Sequence, residues 1–169
     1  MKIVFRFKFL IFIIGFVFAM NTVLAQSSTI IDDSIFSNVL NEQRKIKIYL
    51  PEEYRQGSNT KFDVVYLVDG EIHFNDFRFI YKFAKNENFL PPLILIALPN
   101  KYTSDGNMRD RDFLPEKSTD NLKAGGADNF IAFLKNELIP YINKKLSASG
   151  DNSLFGHSLG GFFYYVCPT

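Results

Sequence analysis

Gly156-His157-Ser158-Leu159-Gly160-Gly161, close to the end of a 169-residue chain, decides how the rest of the sequence is read. The pattern G-x-S-x-G puts a serine on a sharp strand-to-helix turn, and glycines on either side, here Gly156 and Gly160, remove side chains that would collide there. Such a turn lifts the Ser158 hydroxyl clear of a sheet, and the helix that follows aims its free N–H groups at an oxyanion. Ser158 is therefore the candidate nucleophile, fed by a short strand over Ser153 to Phe155.

The segments upstream supply a sheet for that turn. Phe62 to Val68 is β-branched and apolar and stops abruptly at Asp69-Gly70, and Leu93 to Leu98 is a second apolar run, bounded by Pro91-Pro92 and Pro99-Asn100. Both read as buried strands. Between them Phe74, Phe77, Ile80, Tyr81 and Ala84 recur at helical spacing, as the crossover between parallel strands requires. Arg44 to Leu50 alternates polar and apolar residues like a half-buried strand near a sheet edge. Ser28 to Val39, with Ile30, Ile31, Ile35 and Phe36, could pair with it.

Lys101 to Lys123 is polar and aperiodic and reads as a long surface loop. After Gly125-Gly126 a helix is expected, with Phe130, Leu134, Leu138 and Ile142 as its apolar stripe and Asp128 in its first turn, where the helix dipole favours a carboxylate. Pro140 should kink it, because proline removes a backbone donor from a helix interior. This order of strands and helices is the first half of an α/β layout, a mostly parallel sheet with flanking helices.

An oxyanion hole needs a second backbone donor, from the loop after the earlier buried strand. Asp69-Gly70-Glu71 occupies that place. The two donors are assigned to the N–H groups of Leu159 and Glu71, with Gly70 allowing the close approach; an ordinary strand-ending turn is the competing reading.

Four stretches then point to a family: Tyr66-Leu67-Val68-Asp69-Gly70-Glu71-Ile72-His73-Phe74, Arg111-Asp112-Phe113-Leu114-Pro115, Gly125 to Phe130 running into Glu137 to Ile142, and the Ser158 turn itself. In this order they resemble the family named Putative esterase within the α/β-hydrolases, which includes esterase D-type enzymes, enterochelin (siderophore) esterases and feruloyl esterases. The resemblance spans about Arg44 to Phe162. It implies an α/β-hydrolase fold, Ser158 as nucleophile, and hydrolysis of a small-molecule carboxylic ester through an acyl-enzyme.

The triad of such folds runs serine, then Asp or Glu, then histidine. The eight residues after Gly161 hold no acid and no histidine, so the chain is expected to be the N-terminal part of the domain, truncated after the turn and catalytically silent by itself. Residues 26–169 are assigned to that partial domain; the alternative is a non-catalytic binding or interaction module. Truncation would also leave the strand before Ser158 as an unpaired apolar edge. Of the two histidines, His157 adjoins the nucleophile in a turn that directs its side chain away. His73 follows the oxyanion loop and is a substrate-lining candidate. Arg111 is a second such candidate, and with Arg109 and Asp112 it could meet an anionic substrate or form a local salt bridge. The histidines are far apart and no carboxylate spacing joins them, so no metal is implied, and no cofactor is called for.

Composition narrows the setting. With 47% hydrophobic residues, the chain has material for one core and does not read as disordered. Met1 to Ala25 has the layout of a secretory signal: Lys2, Arg6 and Lys8, an apolar run over Phe9 to Met20, and Val23-Leu24-Ala25 before an expected mature start at Gln26. Export to a periplasmic or extracellular space follows, without stable membrane association after cleavage; an uncleaved anchor is the competing reading. That segment carries three of the 19 basic and none of the 18 acidic residues, which leaves a net charge of −2 from Gln26 onward and no footprint for nucleic acid. Cys167, the single cysteine, excludes an intrachain disulfide.

Overall fold

The computed structural model describes residues 28–117 and 119–166. The expected signal segment, Met1 to Ala25, and Cys167 lie outside the described residues. Strands β1 (Thr29–Ser37) and β2 (Glu42–Leu50) form an antiparallel hairpin in continuous register from Thr29 opposite Leu50 to Ser37 opposite Glu42. β3 (Phe62–Val68) is joined to β4 (Leu93–Leu98) by helix α1 (Gly70–Asn86), and the two strands pair in parallel with Val68 opposite Leu98. β2 meets β4 antiparallel, and the strand before Ser158 pairs in parallel with β3, so the sheet order is β1-β2-β4-β3 and then that last strand. The sheet is thus mixed: parallel in its three-strand centre and margin, antiparallel where the hairpin attaches.

Strand parity divides the core in two. Ile46, Ile48, Val64, Tyr66, Val68, Ile94, Ile96 and Leu98 point to one face, and Tyr49, Leu67, Leu93, Leu95 and Ala97 point to the other, where Phe74 and Tyr81 of α1 cover them. Burial on both faces explains why β4 and, beyond the exposed Asp63, residues 64–68 of β3 are continuous apolar runs rather than alternating ones. The Tyr81 hydroxyl accepts the Leu93 N–H at 2.7 Å, which ties α1 to the start of β4. α1 begins hard against β4: a Cβ on Gly70 would lie 2.7 Å from the Leu98 nitrogen and 2.9 Å from the Ala97 Cβ.

Three expectations change. The stretch Lys101 to Lys123 is not a bare loop. It holds a small hairpin, β5 (Tyr102–Thr103) with β6 (Gly106–Asn107), and a short helix, α2 (Arg109–Phe113), whose Asp112 and Phe113 are buried. Phe113 stacks on Phe163 at 5.2 Å, so this segment belongs to the core, a tertiary effect that local periodicity does not carry.

Pro140 does not simply kink its helix. α3 (Ala127–Phe133) passes into a π turn over Leu134–Leu138 and then into α4 (Ile139–Lys145). The wider π turn stands where the proline ring would otherwise press on the carbonyl four residues back, that of Asn136. The stripe survives, with Phe130, Leu134, Leu138 and Ile142 all buried.

The strand before Ser158, β7 (Ala148–Phe155), is longer than expected. Its register against β3 shifts between Phe62 and Val64, and Gly150 has φ 102, so an irregular, polar first half hides the strand from a pattern search. β7 stands at the margin of the described sheet, but apart from Phe155 its exposed residues are small or polar, so the edge is not the apolar one expected.

Candidate active site

Ser158 stands between β7 and helix α5 (Leu159–Val166), is exposed, and has φ 55. That left-handed conformation costs an L-residue about 1–2 kcal/mol, and here the surrounding packing imposes it. A Cβ on Gly156 would fall 2.2 Å from the carbonyl oxygen of Gly160, and one on Gly160 would fall 3.0 Å from both Asp69 Oδ2 and Val68 Cγ2. The two glycines of the pattern are therefore required by contact, the first by helix backbone and the second by the neighbouring strand end. The Gly160 N–H donates to the His157 carbonyl at 3.0 Å and the Phe162 N–H to the Ser158 carbonyl at 3.0 Å, so the helix starts at once.

The loop after β3 abuts this turn. Asp69 is buried with φ 53, and its carbonyl accepts the N–H groups of Ile72 and His73 at 2.9 and 3.1 Å. Leu159 and Glu71 thus lie in the first turns of α5 and α1, where N–H groups have no intrahelical acceptor. The Glu71 side chain is turned to Asn100, accepting its backbone N–H at 3.1 Å and its amide at 2.9 Å.

A buried carboxylate needs matched donors, and Asp69 has three. Arg109 donates through Nε to Oδ1 at 2.6 Å and through Nη2 to Oδ2 at 2.8 Å, and the Asn100 amide donates to Oδ1 at 2.7 Å. The hydrogen bond to Asp69 holds the Arg109 guanidinium further into its charged form, against a smaller opposing effect of burial. The same Nη2 reaches the His157 carbonyl at 3.3 Å.

The histidines meet each other. His73, on α1, lies edge-on to His157 with centroids 5.5 Å apart and also touches Phe155. Among the described residues, neither ring makes a side-chain hydrogen bond to Ser158. Arg111 is placed elsewhere: it forks onto Glu42 at 2.7 and 3.1 Å and holds Asp112 at 2.8 Å. It lines a cleft of about 310 Å³ with Leu40, Lys123 and Asn129. Arg44, buried beneath, completes that network with a 2.6 Å contact to Asp112.

The structure therefore brings Ser158, Leu159, Gly70, Glu71 and His73 to one place and leaves Arg111 outside it. Sequence reasoning missed the buried Asp69 side chain and Asn100. The two meet through strand register: with Val68 opposite Leu98, the residues just past the strand ends come together, and the Asn100 amide reaches Asp69.

The model of the family described as "Putative esterase" matches residues 37–165. Among solved structures, an IroE-like serine hydrolase from Shewanella oneidensis matches at TM-score 0.72 and 31% identity, over 80% of this chain and 44% of that one. The BES protein from Bacillus cereus matches at TM-score 0.67 and 28% identity, over 81% of this chain and 54% of that one. The siderophore hydrolase EstB from Aspergillus nidulans shares the fold at TM-score 0.64 and 19% identity, over 79% and 50%. The chain thus spans about half the length of these proteins. No curated protein matches significantly. With a family model covering most of its length and a fold shared with these solved structures, the chain belongs to the Putative esterase family, with the α/β-hydrolase fold.

Proposed function

We propose that Ser158 is the nucleophile of carboxylic-ester hydrolysis through an acyl-enzyme, with the N–H groups of Leu159 and Glu71 as oxyanion donors. Ser158 Oγ attacks the ester carbonyl carbon and gives its proton to a base. The carbonyl oxygen, now anionic, is held by the two N–H groups; the C–O bond to the alcohol then breaks as the base returns the proton to it. Water releases the acid by the same steps. The observation that carries this reading is the left-handed Ser158 at a turn where Gly156 and Gly160 are needed by contact. No cofactor enters the scheme.

Among the described residues, neither histidine ring hydrogen-bonds Ser158, and the two rings meet edge-on. Together with the half-length match, this supports placing both partners in sequence beyond these residues, with 26–169 as the N-terminal part of the domain. Met1 to Ala25 is read as its export signal, and a small-molecule ester as its substrate.

Hydrolysis of p-nitrophenyl acetate by Gln26 to Thr169, against Ser158→Ala, tests this reading with and without added imidazole as a diffusible base. Without imidazole the two proteins should be indistinguishable, since loss of the base forfeits several orders of magnitude. With imidazole the wild-type rate should rise above the variant's. Fast Ser158-dependent turnover without imidazole would instead put a working base within this chain, and no Ser158 dependence in either condition would remove the nucleophile assignment.

A further inference from the structure

The contacts around Asp69 do more than satisfy a buried charge. Asp69 Oδ2 lies where a Cβ on Gly160 would come within 3.0 Å, so the loop after β3 rests directly on the first turn of α5. Arg109 then closes the gap from outside, one Nη2 contacting both Asp69 Oδ2 at 2.8 Å and the carbonyl of His157, the residue before Ser158, at 3.3 Å. Its guanidinium lies 5.4 Å from the Phe113 ring centroid, against a side chain of the core.

Two turns are thus held by a single group. Both carry a non-glycine residue in the left-handed region, Asp69 and Ser158, and neither conformation persists without restraint from its surroundings. The donors assigned above, the N–H groups of Glu71 and Leu159, follow those residues. Their separation is set by how the Asp69 turn is fixed to the Ser158 turn.

We infer that Arg109 is a positioning residue, which through Asp69 and the His157 carbonyl fixes the two oxyanion donors relative to each other. It touches no reacting atom. The inference rests on the reading of Ser158 as nucleophile for its catalytic consequence, but the mechanical link between the turns stands apart from that reading. Arg111, two residues on, provides the contrast, because its guanidinium is committed to Glu42 and Asp112.

The test compares wild type, Arg109→Met, Arg109→Lys and Arg109→Gly in two measurements. In the first, acetylation of Ser158 by p-nitrophenyl acetate is followed with imidazole present. A misplacement of the order of an ångström costs about 100-fold, so Arg109→Met should acetylate about 10- to 100-fold more slowly. Arg109→Lys, which cannot bridge two acceptors as a planar fork, should recover little. Guanidinium ion at low millimolar concentration should restore part of the rate in Arg109→Gly and none in wild type. A residue that merely stabilises the fold would lower the folded fraction without responding to guanidinium. Rates within threefold of wild type in folded Arg109→Met would overturn the inference.

The second measurement is amide hydrogen exchange. In Arg109→Met, exchange should quicken together in segments 69–74 and 156–163 and stay unchanged in β1 and β2. Faster exchange near Asp69 alone would show that no link exists. This outcome reads the link even if Ser158→Ala acetylates as wild type does, which would sink the nucleophile reading and not this one.

Discussion

Gly156 and Gly160 are packed so closely that a Cβ on the first would sit 2.2 Å from the carbonyl oxygen of the second. Backbone is on the receiving side, so nothing flexible can give way. Gly156→Ala should therefore destabilise the chain at or above the upper end of the roughly 1–3 kcal/mol typical of overpacking. Gly160→Ala meets the Asp69 carboxylate and a valine methyl at 3.0 Å and should cost less, about 1 kcal/mol. Urea denaturation of both variants checks the order, and an equal or reversed order would contradict the contact geometry.

Ser158 holds φ 55 at a cost that glycine does not bear. Ser158→Gly should accordingly be more stable than Ser158→Ala by about 1 kcal/mol. Thermal unfolding of the pair decides it. Equal stability would mean that the turn relaxes to ordinary angles in solution.

Arg44 and Asp112 form a buried ion pair at 2.6 Å, with side-chain exposures of 3% and 1%. Arg44→Met should cost about 3 kcal/mol, because it removes one donor from a charge that remains inside. Adding Asp112→Leu should return most of that loss, since an apolar pair of similar volume is often neutral. A double variant no more stable than the single one would contradict this, and would show that Arg111, which also holds Asp112, satisfies the carboxylate by itself.

These two residues also mark where the sequence was legible and where it was not. β3 and β4 were readable to the residue, because burial on both faces makes all of β4 and residues 64–68 of β3 continuous apolar runs, ended at Gly70 and at Pro99. Arg44 shares its strand parity with Ile46, Ile48 and Leu50 and is buried with them, although a charged side chain ordinarily faces solvent. What decides the matter is Asp112, 68 residues away in a segment with no local pattern. Likewise Ser158 was legible from its glycines, whereas the Asp69 to Arg109 contact depends on a register and a hairpin that no short window contains.

Acid should loosen the attachment of the β1–β2 turn. The Glu137 carboxylate accepts hydrogen bonds from Ser37 Oγ at 2.5 Å and from the N–H groups of Asn38 and Val39 at 2.9 and 3.2 Å. Burial alone would raise its pKa, but these bonds outweigh it and hold the group below the ordinary 4.5. Glu42, bonded by Arg111 and Arg44, is lowered against burial in the same way. A depressed folded pKa means that the unfolded chain takes up protons first as pH falls. The stabilisation is therefore full above 4.5 and is lost progressively below it. Urea midpoints measured between about pH 6 and pH 3 should fall for wild type and fall less steeply for Glu137→Gln. Parallel curves would show that Glu137 contributes nothing to the loss.

The central claim is that Ser158 is the acyl-accepting group, and peptide mass mapping after exposure to p-nitrophenyl acetate and imidazole tests it most directly. The account predicts one added acetyl group on the peptide that contains Ser158, dependent on imidazole and absent from Ser158→Ala. Acetyl groups spread over lysines at equal levels in both proteins, with the Ser158 peptide unmodified, would contradict it.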